Sequence, residues 1–247
     1  MQRLALFDLD NTIVDRAAGF RLWAQEFCAR HELSPREVDW MVEADGDGLT
    51  PKETFFARVR ERFMLADSVT TLWAAYRERH PALIPACNGA LIGLARLRQA
   101  GWKVGLITNG FAATQTSTII LSGVVQYVDG WAISGAEGVR KPERRLFEIA
   151  AERCGATLAG GGWMIGDSAA ADVGGGKTAG LRTVWIDRGR SWPHDMSEPD
   201  HVVADAAEAV AVLLAAAAEG VSQQPSRGNT GPIRTVTGSS PRHSHLT

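Results

Sequence analysis

Two aspartates one residue apart, Asp8 and Asp10, follow a short apolar segment at residues 1–6 that predicts a strand. Because alternate side chains of a strand leave the same face, the two carboxylates would lie together, where repulsion and loss of water both cost free energy. Chains keep such a pair where a cation lies between the carboxylates, or where one attacks a substrate and the other moves protons. They also keep one where both aspartates simply cap the N–H groups of a turn. Residues 7–12, FDLDNT, do not by themselves favour either the reactive or the capping interpretation.

Polar residues recur where later predicted strands end, and they favour the reactive interpretation. The residues in question are Thr108, Asn109, Lys141, Asp167 and Asp172. The first two follow a strand predicted over residues 102–107, the last two follow one predicted over 162–166, and the lysine precedes a predicted helix. In an open parallel sheet, ligands bind outside the carboxyl ends of the strands. Each residue alone could be a helix cap or a solvated side chain, but their joint placement indicates a reactive centre.

Predicted strands and helices alternate along most of the chain, with one purely helical block near its start. The alternation predicts an α/β fold built on a parallel sheet with right-handed crossovers. The continuously apolar strands predict a sheet covered on both faces. We expect residues 1–14 and 86–220 to form the core domain and residues 15–85 an inserted helical domain. The polar composition from residue 221 onward predicts a disordered C-terminal tail over 221–247.

The composition excludes several classes of protein. The chain has 247 residues, of which 45% are hydrophobic and 22% charged, as in ordinary globular proteins. Its net charge of −2 provides no basic field for nucleic acid or a membrane surface. With no signal peptide and no apolar run long enough to span a bilayer, we expect a cytoplasmic protein. Cys28, Cys87 and Cys154 lack metal-binding spacing, which favours reduced thiols.

Taken together, the motifs resemble those of the haloacid dehalogenase superfamily of phosphotransferases and hydrolases. Residues 8–12, DLDNT, match its first motif, DxDxT. Thr108, at the end of an apolar strand, matches the second motif, and Lys141 matches the third. Residues 166–172, GDSAAAD, match the fourth motif, GDxxxxD. The resemblance covers residues 1–218 and implies a Rossmann-like core with a type-1 helical cap inserted after the first motif.

The resemblance also implies roles for the four aspartates. Asp8 would be the nucleophile that forms an aspartyl-phosphate, and Asp10 the acid that protonates the leaving oxygen and then the base that activates water. Mg²⁺ would be held by a side-chain oxygen of Asp8, the backbone carbonyl of Asp10 and the carboxylate of Asp167. Asp172 would orient this site from behind or pair with the lysine.

The remaining motif residues would bind the phosphate. By resemblance, Thr108 would donate its hydroxyl to a phosphate oxygen, the backbone N–H of Asn109 would assist near a helix N-terminus, and Lys141 would neutralise charge. Substrate choice would belong to the cap, where residues 46–48 and Thr50 resemble the position of a specificity loop or form a flexible turn. Phe20, Trp23 and Trp40 favour core packing over a place in the pocket.

Asp10 favours phosphate esters over the other chemistries of the superfamily. Its dehalogenases lack an aspartate at this position, because a halide leaves without a proton whereas an alkoxide needs one. Phosphonate cleavage is disfavoured for the same reason, and because Lys52, the only lysine of residues 15–85, is not evidently placed to form an imine. A receiver-type signalling module would lack both Asp10 and the helical insertion.

We therefore expect a Mg²⁺-dependent phosphatase that acts on a small phosphorylated metabolite, as a monomer or a homodimer, with neither nucleic acid nor membrane as a partner. A phosphosugar mutase shares these motifs and remains the alternative, and a haloacid dehalogenase is the less favoured one.

Overall fold

The computed structural model describes residues 2–222 and places one six-stranded sheet at the centre of that region. The strands are β1 (Leu4–Phe7), β2 (Lys103–Thr108), β3 (Gly130–Ile133), β4 (Trp163–Gly166), β5 (Arg182–Ile186) and β6 (His201–Val203). Their order is β3-β2-β1-β4-β5-β6, and every neighbouring pair is parallel. The predicted α/β fold with a parallel, Rossmann-like sheet is confirmed. Because the strand order reverses beside β1, a ligand crevice is expected at its carboxyl end.

The helices surround this sheet or lie in the insertion after β1. They are α1 (Arg16–Arg30), α2 (Glu37–Asp45), α3 (Lys52–Arg62), α4 (Val69–Arg79), α5 (Ala90–Gln99), α6 (Ala112–Leu121), α7 (Ser134–Glu137), α8 (Arg144–Arg153), α9 (Gly175–Thr178) and α10 (Ala206–Ser222). Strand β1 is apolar throughout because helices cover both faces of the sheet at this strand. Ala5 and Phe7 pack on one face with residues of α5 and α10, while Leu4 and Leu6 pack on the other with residues of α8.

The insertion after β1 has its own apolar cluster. Its buried side chains come from α1, α2, α3 and α4, and the aromatic ones include Trp23 and Tyr76, at a ring separation of 4.8 Å. Phe20 and Trp23 belong to this cluster and Trp40 packs against it, so these aromatic residues serve packing rather than the cavity wall described below. The domain boundaries expected at 14/15 and 85/86 stay a prediction.

The C-terminal tail expected over residues 221–247 stays a prediction, although helix α10 extends through its first two residues. Residues 206–218 of this helix are rich in alanine, which has the highest helix propensity, and the helix ends at Ser222. The rest of the predicted tail, residues 223–247, lies outside the described residues. Among the helices of residues 2–222, none combines the length and the apolar character that crossing a membrane requires.

Candidate active site

All seven motif residues predicted for the site line one cavity of about 930 Å³ at the carboxyl edge of the sheet. Asp8 follows β1, Thr108 ends β2, and Asp167 follows β4. The backbone N–H of Asp8 donates to Ile165 O over 2.8 Å, which joins the ends of β1 and β4. The parallel sheet thus brings together residues that are more than 150 positions apart in the chain.

Lys141 lies at the centre of the buried polar groups. Its Nζ donates to Asp8 Oδ1 over 2.5 Å, to Asp172 Oδ1 over 2.7 Å and to Ile107 O over 2.8 Å. These bonds use all three of its N–H donors. Burial lowers the pKa of Lys141, but the charges of Asp172 and Asp8 outweigh that effect and the net pKa is raised. The ammonium group therefore stays charged and fixed beside Asp8.

Asn109 positions Lys141 through its side chain, a role that the sequence motif did not reveal. Its Oδ1 accepts from the Lys141 backbone N–H over 2.9 Å, and its Nδ2 donates to the Lys141 carbonyl over 3.1 Å. This reciprocal pair joins the end of β2 to the segment before α8. Whether the Asn109 backbone N–H also binds phosphate stays a prediction.

Three carboxylates, two of which contact Lys141, form a group that fits a hard cation. Oxygens of Asp8, Asp167 and Asp172 all lie within 4.8 Å of one another. Burial raises the pKa of Asp8 well above its ordinary value, and it also raises the pKa of Asp167, which the charge of Asp172 raises further. Oxygen ligands and surplus negative charge suit a divalent cation such as Mg²⁺. The Asp10 carboxylate is not in this group, and its predicted contribution is through the backbone carbonyl.

Gly166 has a steric reason to be glycine. A Cβ atom at this position would lie 2.2 Å from Asp172 Oδ2, which is far inside contact distance. Asp172 Oδ2 in turn accepts from the Ser168 backbone N–H over 2.9 Å. The glycine of the fourth motif therefore lets the chain fold back so that Asp172 reaches Lys141.

Two arginines that the sequence interpretation missed hold Asp167. Arg188 Nη1 and Arg190 Nη2 each donate to Asp167 Oδ2 over 3.1 Å. Arg188 Nη1 also contacts Asp47 Oδ2 of the insertion over 2.5 Å. Both arginines follow β5, so the reasoning from strand ends that located the other residues could have found them.

Asp10 occupies a different environment from Asp8. Its Oδ2 accepts from Gln115 Nε2 over 2.8 Å, and the same nitrogen donates to Thr108 Oγ1 over 2.7 Å. Burial raises the pKa of Asp10, while Arg16 and the hydrogen bond from Gln115 partly offset that rise. A carboxyl group with a raised pKa is suited to donating a proton near neutral pH.

Residues of the helical insertion form the opposite wall of the cavity. Of the predicted specificity loop, Asp47 and Gly48 line the cavity, whereas Gly46 and Thr50 do not. Lys52 lines it too, a position that the sequence did not indicate, and the expectation that it forms no imine stays a prediction. It is the first residue of α3, and residue spacing alone could not show that this end of the helix reaches the cavity.

The cysteines lie away from this chemistry. None of Cys28, Cys87 and Cys154 is among the cavity-lining residues, and none is disulfide-bonded. Burial raises the pKa of Cys87 and of Cys154 to about 11, which disfavours a thiolate.

The fold and this set of residues define a hydrolase of the haloacid dehalogenase type. The chain belongs to the haloacid dehalogenase-like hydrolase family, whose model matches residues 2–180. It is 35% identical over 246 residues to a phosphoserine phosphatase of Thermus thermophilus, a match that covers 83% of this chain and 97% of that protein. It is 36% identical over 100 residues to a pyrimidine 5′-nucleotidase of Escherichia coli, covering 40% of this chain and 42% of that protein. The second match thus spans less than half of that relative.

Solved structures share the fold. A hydrolase of this superfamily from Bacillus subtilis, bound to magnesium, matches with a TM-score of 0.68 and 22% identity, covering 86% of this chain and 99% of that one. The L-2-haloacid dehalogenase of Xanthobacter autotrophicus matches with a TM-score of 0.67 and 17% identity, covering 87% and 99%. At such identities the comparison shows the fold alone, so these structures do not separate a phosphatase from a dehalogenase.

Proposed function

We propose that this hydrolase is a Mg²⁺-dependent phosphatase that cleaves a small phosphate monoester through an aspartyl-phosphate. The observation that carries the proposal is the division of labour between the two aspartates. Asp8 contacts the fixed ammonium of Lys141, whose charge opposes the rise that burial causes in the pKa of Asp8 and so favours a carboxylate there, whereas Asp10 is held by Gln115. The two relatives reported above are named as enzymes that remove phosphate, which supports the same conclusion.

The proposed reaction has two steps. In the first, a carboxylate oxygen of Asp8 bonds to phosphorus while the ester P–O bond breaks, and Asp10 gives its proton to the departing alkoxide. In the second, Asp10 takes a proton from water, whose oxygen attacks phosphorus and releases inorganic phosphate and the Asp8 carboxylate. Lys141 offsets negative charge in both steps, and the Thr108 hydroxyl, which accepts from Gln115, keeps its own hydrogen for a phosphate oxygen.

The residues present fit the proposed cation. Asp8, Asp167 and Asp172 supply carboxylate oxygens close together, and Asp10 would add its backbone carbonyl. Bound there, Mg²⁺ would neutralise charge between the carboxylates and the phosphate dianion. Arg188 and Arg190 both donate to one oxygen of Asp167 and so fix the position of that carboxylate.

Asp10 also bears on the alternatives. A dehalogenase has no use for a proton donor at this position, because halide leaves unprotonated, yet here Asp10 lines the cavity and is held in place. A phosphosugar mutase would use the same aspartates, but it would return the phosphoryl group to its substrate instead of losing it to water. Phosphate release compared with isomerisation of a hexose phosphate therefore separates the phosphatase from the mutase.

We propose that the substrate is a small phosphorylated metabolite and that neither nucleic acid nor a membrane is a partner. We further propose that the enzyme works in the cytoplasm as a monomer or a homodimer. A cavity of about 930 Å³ is within the usual range for small-molecule sites. The two relatives are named for different substrates, phosphoserine and pyrimidine nucleotides, so they support the reaction class more than one substrate.

The experiment is a screen of phosphorylated metabolites for phosphate release by the full chain, with Mg²⁺ and with a chelator. We expect Asp8→Asn to lower kcat by roughly a thousandfold or more and Asp10→Asn by roughly a hundredfold or more. The exposed Asp39, paired with Arg21, provides the matched control Asp39→Asn, which should leave activity unchanged. Circular dichroism would check that each variant is folded. Wild-type activity in Asp8→Asn would contradict the mechanism.

A further inference from the structure

A buried cluster of charges, separate from the proposed phosphate site, lies in the wall that the insertion contributes to the cavity. Arg16 Nη1 and Nη2 contact Asp45 Oδ2 and Oδ1 over 2.8 Å and 3.1 Å, and Lys52 Nζ also donates to Asp45 Oδ1. The backbone N–H of Gly48 donates to Asp45 Oδ2 over 2.7 Å. Arg16 and Lys52 line the cavity, whereas Asp45 lies behind them.

This cluster carries one positive charge more than Asp45 can balance. The side chains of Arg16 and Lys52 are only 9% and 17% exposed, so water compensates little of that charge. Lys52 has three N–H donors, and Asp45 is the acceptor found for them among residues 2–222. Asp10 is the next carboxylate, but it is hydrogen bonded to Gln115 and forms no ion pair with Arg16 in the described region.

Apart from the Asp10 carboxylate, which interacts electrostatically with both cations without forming an ion pair in the described region, aromatic rings surround the ammonium of Lys52. Lys52 Nζ lies 5.6 Å to 5.8 Å from the ring centres of Phe20, Phe55 and Tyr76. Burial and the nearby Arg16 lower the pKa of Lys52. Aromatic rings stabilise an ammonium by less than an anion does, so the cluster gains from an anion that enters from the cavity.

His80 provides an independent sign that this wall meets a ligand. It lines the cavity, is 3% exposed, and its Nε2 has no hydrogen-bond partner in the described part of the chain. Burial, with Arg16 and Lys52 close by, lowers its pKa to about 3, so the imidazole is neutral. A buried polar atom left unpaired costs free energy, and a polar group on a bound molecule would remove that cost.

We propose that Arg16 and Lys52 form a subsite for a second anionic group, so that the preferred substrates are phosphate monoesters whose organic part carries a carboxylate or another phosphate. The inference rests on the proposed phosphatase activity, because the ester phosphate must bind at Asp8 while the second anion binds at the cluster. A merely structural cluster would tie α1 to α3 without favouring any substrate.

The experiment compares substrates that differ in the second group alone. One arm pairs 3-phosphoglycerate with glycerol phosphate, and the other pairs propane-1,3-diol bisphosphate with its monophosphate. In the wild-type chain with Mg²⁺ we expect kcat/KM to be about tenfold to a hundredfold higher for the more anionic member in at least one arm. This ratio corresponds to the free energy that one hydrogen bond to a charged group usually contributes. The arm that shows the preference identifies the anion.

Variants of the cluster test its role. Lys52→Gln and, separately, Arg16→Gln should reduce that preference about tenfold, and Lys52→Arg should retain most of it. The exposed Lys103 provides the control Lys103→Gln, which should leave both rates and their ratio unchanged. Having two cluster variants keeps the test valid if one of them fails to fold.

The outcomes separate this inference from the proposed function. Phosphate release from all substrates with no preference in either arm, or an unchanged preference in both cluster variants, would overturn the subsite and leave the phosphatase intact. If the wild-type chain releases no phosphate at all, titration calorimetry on Asp8→Asn measures instead how tightly the two members of each pair bind. Tighter binding of the more anionic member would then support the subsite without the phosphatase, and equal binding would overturn both.

Discussion

Gln115 ties Asp10 to Thr108: one amide nitrogen donates to Asp10 Oδ2 over 2.8 Å and to Thr108 Oγ1 over 2.7 Å. Gln115 is buried in α6, at 5% exposure, so solvent cannot replace these bonds. Both hydrogens of the amide are used, which fixes the Asp10 carboxyl relative to the hydroxyl proposed to bind phosphate. The glutamine therefore positions two groups of the proposed reaction without reacting itself.

Replacing Gln115 should change the pH profile as well as the rate. A hydrogen bond to the charged form of Asp10 lowers its pKa, so Gln115→Leu should raise that pKa further. Since Asp10 must start protonated, the basic limb of kcat/KM against pH should move to higher pH, and kcat should fall about tenfold or more. The exposed Gln99 gives the control Gln99→Leu. If the basic limb of kcat/KM stays at the same pH in Gln115→Leu, the pKa of a group other than Asp10 determines it.

Arg188 should compete with the proposed cation. Its Nη1 occupies Asp167 Oδ2 over 3.1 Å and carries positive charge next to the carboxylate group. Arg188→Gln should therefore tighten Mg²⁺ binding by about fivefold, measured by titration calorimetry, because a competing charge is gone. Arg36→Gln, at an exposed position, is the control. Weaker Mg²⁺ binding in Arg188→Gln would show that the arginine supports the metal site instead.

Strand ends could be predicted from the sequence because they depend on local pattern. An apolar run followed by Asp, or by Thr-Asn-Gly, marks where a buried strand reaches the edge of the sheet, and parallel strands share that edge. The placement of Asp8, Thr108 and Asp167 around one cavity follows from this rule once the sheet is parallel.

The contacts of Gln115, Arg188 and Lys52 depend on tertiary packing instead. Gln115 meets Asp10 across 105 positions, because the fold places α6 beside the residues that follow β1. Lys52 faces the cavity because of how the insertion sits over β1, and no periodicity within α3 encodes that. Glutamine, arginine and lysine are also common on surfaces, so their types alone gave no signal.

Asp45 should contribute a large and pH-dependent share of stability. Burial raises its pKa, but Arg16 and Lys52 outweigh that effect and the net pKa is lowered. Asp45→Asn would leave two buried cations without their carboxylate, which should cost about 3 kcal/mol in the free energy of unfolding at neutral pH. Denaturant unfolding would measure this cost, with Asp39→Asn as the exposed control.

The pH dependence of that cost has a definite sign. A carboxyl whose folded pKa is depressed contributes stability above its unfolded pKa and loses it as the pH falls through the folded pKa. The difference between wild type and Asp45→Asn should therefore narrow as the pH falls below the ordinary carboxyl range. A difference that stays constant from neutral to acidic pH would show that Asp45 acts through packing rather than charge.

Gly48 offers a way to move Arg16 without removing its charge. Gly48 and Gly123 have φ angles of +87° and +77°, so alanine at either should cost a similar backbone strain of about 1 kcal/mol. A Cβ at Gly48 would lie 2.9 Å from Arg16 Cζ, whereas one at Gly123 would meet nothing within 4 Å. Gly48→Ala should therefore alter KM through a displaced guanidinium, and Gly123→Ala should not. Equal loss of stability with equal KM in both variants would show that the loop tolerates the methyl group and that Arg16 keeps its place.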